Sequence, residues 1–176
     1  IVRDLERRGL IPTGGQLVLT VPESLVSSVR PGVILQPLGR GVNFRNFALA
    51  TTATLSPNSR GVISACGLLL RNISETDYMV AYVDNTGAYG LSQRSGESFQ
   101  PGIYSENAAY INTAPNTNQI LVIAIEDRLH YYINGRYAGT QEVTPIEGQI
   151  GNVLVNFDPG DNTCQFANTW LWRWGE

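Results

Sequence analysis

Few side chains in this sequence have the types and spacing that chemistry requires. Hydrolysis of a glycosidic bond takes two carboxyl groups held across the scissile bond. The adjacent pair Glu126-Asp127 sits at a predicted turn and points its side chains apart, while Glu97, Glu106, Glu142 and Glu147 fall in predicted loops. No catalytic residue is assigned on this basis. His130 is the single histidine. It alternates with Leu129 and Tyr131, so it belongs on the solvent side of a strand, and a histidine-rich transition-metal site has no second ligand. Oxygen-rich loops suit calcium better. Asp158-Pro159-Gly160-Asp161-Asn162 offers Asp158, Asp161 and Asn162, and Asp84-Asn85 offers a second place. The same residue types are also ordinary turn formers.

Tyrosines and planar polar groups form the other constellation. Sugars are held by rings against their C–H faces and by amide, carboxylate and guanidinium groups on their hydroxyls. Tyr78, Tyr82 and Tyr89 are expected on one face of a hairpin, with Arg71, Gln93 and Arg94 close in sequence. Tyr104, Asn107 and Tyr110 lie in a stretch, Ser95 to Pro115, read as a long irregular loop rimming a groove. Tyr also packs well between strands, so some of these rings belong to a core. Trp170, Trp172 and Trp174 share one face of the last strand. Burial is expected for the first two and partial exposure for Trp174.

Strands must position these groups. Ile1 to Leu10 carries one apolar stripe, Val2, Leu5 and Leu10, on a charged body, and Gly9 with Pro12 ends it. Residues 1–15 are therefore read as an N-terminal helix and linker. From Gln16 onwards, period-two alternation and turns prevail. Asp77 to Val83 pairs with Ala88 to Arg94 across Asp84-Asn85-Thr86-Gly87. Gln119 to Ile125 pairs with Arg128 to Ile133 across Glu126-Asp127. Asn134-Gly135 then signals a type I′ turn. Other strands are expected at Gln16 to Val21, Asn43 to Leu55, Gly61 to Arg71, Gln149 to Phe157 and Cys164 to Trp174, with a turn at Ser56-Pro57-Asn58-Ser59. No strand–helix–strand alternation appears. The fold class is all-β: a two-sheet antiparallel jelly-roll sandwich over 16–176 with a short N-terminal helix.

The order of features also resembles a known family. Asn43-Phe44-Arg45-Asn46-Phe47, then Gly67-Leu68-Leu69-Leu70-Arg71-Asn72, precede the tyrosine-rich hairpin. Leu121 to Ile125 leads into Leu129-His130-Tyr131-Tyr132-Ile133-Asn134-Gly135, followed by Gly148-Gln149-Ile150-Gly151 and Cys164-Gln165-Phe166-Ala167-Asn168. This resembles the concanavalin A-like lectin/glucanase superfamily, nearest to laminin-G-like domains and bacterial domains grouped with keto-disaccharide hydrolases. The resemblance implies a jelly roll and a lectin-like bacterial surface module, with calcium a recurrent ligand of strand-connecting loops. Family 16 glucanases of this fold carry Glu-x-Asp-x-x-Glu on one strand, and no such spacing occurs here. Ala167 stands where the family's closing strand often has Asp.

Composition bounds the rest. The 176 residues carry a net charge of −3, and the charged fraction is 15%. All 12 cationic residues are Arg. With no basic excess, a nucleic-acid surface is excluded as an expectation. No apolar run is long enough to span a bilayer as a helix. The chain starts at Ile1, so it reads as a processed product or an excised piece, with membrane attachment expected only through upstream sequence. Cys66 and Cys164 are either a disulfide of an oxidising compartment or two buried thiols. The expectation is an extracellular, periplasmic or cell-surface recognition domain, non-catalytic, binding a glycan or a protein partner. The alternatives are an assembly module of a surface complex and a glycan-cleaving hydrolase.

Overall fold

The computed structural model describes residues 1–39, 41–57, 61–113 and 115–175. Asn58 and Ser59 of the expected turn lie outside the described residues. A short helix α1 (Val2–Arg7) precedes twelve strands: β1 (Gln16–Ser28), β2 (Gly32–Leu38), β3 (Phe47–Pro57), β4 (Ser64–Ser74), β5 (Asp77–Asp84), β6 (Tyr89–Ser95), β7 (Ser98–Ser105), β8 (Thr117–Ile125), β9 (Arg128–Ile133), β10 (Arg136–Glu142), β11 (Gln149–Asn156) and β12 (Asn162–Arg173). They form two six-stranded sheets. The first has the order β1-β12-β3-β8-β9-β10 and the second β2-β11-β4-β5-β6-β7. Every pairing is antiparallel.

Alternation explains why the sheets stack. Phe47, Leu49, Ile120, Val122, Leu129, Tyr131 and Phe166 project from the first sheet onto Cys66, Leu68, Leu70, Met79, Ala81, Leu91 and Leu154 of the second. Cys66 on β4 and Cys164 on β12 are disulfide-bonded, with Cα atoms 5.7 Å apart, so the bridge staples one sheet to the other. Asn134 and Gly135 both take positive φ (50° and 75°), as a type I′ turn requires.

The outer faces differ. The first sheet's outer face is covered by α1, whose Leu5, with Ile11, packs on Ala48, Ile123 and Trp174. Trp174 is buried, at 7% exposure, while Trp170 and Trp172 are half-buried at the edge of the helix. This reverses the expected order: the six-residue helix reaches the end of β12 and leaves its middle partly open. The second sheet's outer face carries its own apolar cluster, Ala65, Leu69, Tyr78, Val80, Val153 and Val155, and among the described residues no helix covers it.

Two strands were hidden by prolines. The stretch read as a loop from Ser95 to Pro115 contains β7, and β2 runs through Pro37. Both lie at the edges of the second sheet, where a residue without an N–H breaks no ladder that matters.

Candidate functional site: a groove on the second sheet

The register of β4 to β7 sets which side chains face outward. Tyr82 lies opposite Gly67 on one side and Gly90 on the other, and Val80 lies opposite Ser92. Gly90 in turn faces Tyr104, and Arg94 faces Phe99. The glycines decide the ring's place, because a Cβ at Gly90 would overlap the Tyr82 phenol, at 2.6 Å from its Oη. Tyr82 therefore lies down over the β5–β6 pair. Burial pushes its phenol above the usual tyrosine range. Phe157 follows β11 and meets the Tyr82 ring edge-to-face at 6.0 Å.

Two cavities open on either side of this ring pair. One, of about 450 Å³, is lined by Tyr82, Tyr104 and Phe157 with Asp84, Glu106, Asp158 and Asn107. The other, of about 430 Å³, is lined by Val33, Val80, Val155, Phe99, Tyr82 and Phe157. Phe99, Tyr104 and Phe157 are each about half exposed, at 47%, 56% and 48%. Contiguous exposed rings in a groove mark a contact surface.

The carboxylates have defined surroundings. Asp84 Oδ1 accepts from the Thr86 backbone N–H (2.8 Å), the Thr86 hydroxyl (2.7 Å) and the Ala88 N–H (2.9 Å), closing the β5–β6 turn. No other described residue hydrogen-bonds its Oδ2. Glu106 accepts from the Tyr104 hydroxyl at 3.2 Å, and Asp158 accepts from the Ile63 N–H at 3.4 Å. Each of the three sits on a different segment: the end of β5, the loop after β7 and the loop after β11. Among the described residues, no cationic side chain lines either cavity.

Of the residues expected to bind ligand, Tyr82, Tyr104 and Asn107 meet in the groove. Tyr78 and Arg94 line neither cavity: Tyr78 is 1% exposed, and Arg94 lies over the Tyr78 and Phe99 rings while donating to the Tyr78 hydroxyl at 3.2 Å. Tyr89 does not share their face. It lies opposite Val83, inside the core, and its hydroxyl donates to Ala138 O. Gln93 is on the Tyr89 side of β6 as well, opposite Met79. Tyr110 packs on the core beside Tyr89, and burial, reinforced by the neighbouring Tyr89 phenol, pushes the Tyr110 phenol up to about 12.

Arg71 departs furthest from expectation. Simple alternation would set it beside Leu69 on the outer face. The ladder slips between Leu70 and Ser74, and Arg71 adopts φ 48°. Its side chain turns inside, fully buried. There it donates to Glu126 O (2.6 Å), Thr144 O (2.9 Å) and Arg45 O (3.4 Å). Arg71 is a clamp on three loops. Burial and the nearby Arg45 guanidinium lower its pKa from the usual arginine range.

The loop expected to take calcium serves the fold in part. Asn162 is buried and donates to Asn156 Oδ1 and Gly160 O, and Asp161 is exposed. Asn85 ties the β5–β6 turn to Ser64 and Val62. Among the described residues, no three His, Cys, Asp or Glu side chains are grouped to hold a metal ion. His130 is half-buried on the outer face of the first sheet, its Nδ1 2.6 Å from the Thr140 hydroxyl, with burial lowering its pKa.

Glu106, Phe99 and Phe157 were not in the expected binding set, and Asp158 and Asp84 were named only as candidate metal ligands. The signal for two of them is present in the alternation itself. Tyr78-Val80-Tyr82 extends by one step to Asp84, and Val153-Val155 extends to Phe157.

Known structures share this architecture. A carbohydrate binding module, CBM66, from Bacillus subtilis superposes with a TM-score of 0.65 at 15% identity, covering 86% of this chain and 92% of that one. The fold is the concanavalin A-like jelly roll. A fructosyltransferase from A. japonicus matches at TM-score 0.64 and 13% identity, over 97% of this chain and 28% of the enzyme. A beta-glucanase from Bacillus licheniformis matches at 0.56 and 9%, over 87% and 79%. This jelly roll thus serves both binding modules and glycoside hydrolases, and identities this low establish the fold alone. No family model matches the sequence, and no curated protein matches it.

Proposed function

We propose that this chain is a non-catalytic carbohydrate-recognition domain working outside the cytoplasm, and that its glycan site is the groove on the second sheet. The observation carrying this reading is the juxtaposition of Tyr82, Tyr104 and Phe157 with Asp84, Glu106, Asp158 and Asn107 around one open cavity. Rings supply faces for sugar C–H groups, and carboxylates accept from pairs of hydroxyls. A carbohydrate binding module with the same fold supports the assignment. The inter-sheet disulfide supports an oxidising compartment. No described helix is long and apolar enough to cross a membrane.

The three groove carboxylates also favour a second reading, glycoside hydrolysis. Binding is preferred because Asp84 Oδ1 and Glu106 are already engaged, by the β5–β6 turn and by Tyr104. The test is a glycan array followed by calorimetry of the parent, Tyr82→Ala and Tyr104→Ala. Removing one stacking ring is expected to weaken binding about tenfold with the fold intact. Undiminished binding in both folded variants would move the site elsewhere. Reducing-sugar release abolished by Asp84→Asn or Glu106→Gln would install the hydrolase instead.

A further inference from the structure

The groove is two cavities of nearly equal size but opposite character, sharing Tyr82 and Phe157 as their common wall. The polar cavity holds three carboxylates. The other is lined by Val33, Val80, Val155, Phe99 and the two shared rings, with Ser92 and Asn156 as its polar side chains. Asn156 is not available to a ligand. Its amide donates to Ser28 O (3.1 Å) and Arg30 O (3.0 Å), and its Oδ1 accepts from Asn162 (3.2 Å). A sugar ring placed in this half would lose water from most of its hydroxyls without finding partners, at a cost for each. A hydrocarbon group placed there would gain.

Charge narrows the polar end. Asp84, Glu106 and Asp158 line it, no cation among the described residues lines it with them, and Arg94, at the far end of the sheet, is held by Gly96 O and Tyr78. An anionic sugar would meet like charge in a half-enclosed site. A neutral sugar would find acceptors for its hydroxyls.

We infer that the ligand is an uncharged glycan carrying an apolar substituent, with the sugar at the Asp84–Glu106–Asp158 end and an alkyl, acyl or aryl group along Val80, Val155 and Phe99. This rests on the glycan-binding reading of the same groove and names its substrate class.

The test is calorimetry on the whole chain with methyl, butyl and hexyl glycosides of several neutral hexoses, below their micelle concentrations, with hexyl sulfate and hexyl glucuronide as anionic probes. Affinity is expected to rise by about fourfold for each of the first methylenes seated, and the anionic probes are expected to bind far more weakly. Phe99→Ala, a change at a half-exposed ring, is expected to lower the ratio of hexyl to methyl affinity about fivefold. A second variant, Ser92→Ala, should raise that ratio by making the channel drier. Equal affinity of methyl and hexyl glycosides would overturn the inference while leaving the glycan reading standing. Binding of hexyl sulfate as tight as that of the hexyl glycosides, unaffected by Tyr104→Ala, would overturn both, since the sugar would then contribute nothing.

Discussion

Replacing both cysteines by alanine is expected to weaken this fold by about 4–5 kcal/mol. The bridge joins β4 to β12 across the interior, and its two ends are 98 residues apart. Closing a loop of that size removes roughly 4.7 kcal/mol of chain entropy from the unfolded state in the loop-closure model. Cys66 is 3% exposed and Cys164 0%, so the variant also leaves a small void where the sulfurs sat in the inter-sheet core. At a urea dependence of about 2 kcal/mol per molar, the midpoint should fall by roughly 2 M. The dependence itself should steepen, because the uncrosslinked unfolded chain is more open. Tryptophan fluorescence is a suitable probe, since Trp170, Trp172 and Trp174 all report on the first sheet and its helix. A midpoint within about 0.5 M of the parent would refute the reasoning, showing that the sheet-to-sheet core holds without its staple.

Other outcomes follow from the same contacts. Arg71→Met should cost about 3 kcal/mol, because three loop carbonyls lose their donor inside the protein; chemical denaturation measures it, and a loss under about 1 kcal/mol would refute the clamp. Gly90→Ala should displace the Tyr82 ring and weaken glycan binding about tenfold while changing stability by less than about 1 kcal/mol; calorimetry beside thermal melting separates the two effects. Raising the pH should destabilise the protein in one direction only. Burial holds the Tyr131 phenol far above the usual range, and Tyr110 is pushed up to about 12, so the unfolded chain loses these protons first. Stability is therefore full below about pH 10 and declines above it. Tyrosinate absorbance should show a late fraction ionising together with unfolding; smooth titration of all eight tyrosines before unfolding would contradict this.

The architecture could be read from alternation and turn chemistry wherever strands are long and free of proline. Asp77 to Arg94 and Gln119 to Ile133 fall where they were expected, because their turns carry Asp84-Asn85-Thr86-Gly87 and Glu126-Asp127, and Asn134-Gly135 ends the second hairpin. Pro37 and Pro101 concealed β2 and β7, since only an edge position tolerates them, and edge status is a property of the assembled sheet. Half of the site was legible for the same reason. Tyr82 points outward as alternation demands, whereas Tyr104, expected at the groove from a loop, reaches it from β7. Tyr89 was misplaced because the turn from Asp84 to Ala88 shifts the face by one residue between Tyr82 and Tyr89. Arg71 was misplaced because a bulge has no marker in a run such as Leu68-Leu69-Leu70-Arg71. The clustering of Glu106 and Asp158 with Asp84 depends on loops from three parts of the chain, and spacing along the sequence cannot report it.

The central claim is that ligand is held on the outer face of the second sheet, and methyl and indole NMR resonances test it most directly. Titration with a neutral glycan selected from the array should shift the methyl signals of Ile63 and Thr86, which line the polar cavity, and leave the three indole N–H signals in place, because every tryptophan lies on the other side of the sandwich. Shifts confined to Trp170 and Trp172, with Ile63 and Thr86 silent, would contradict the account.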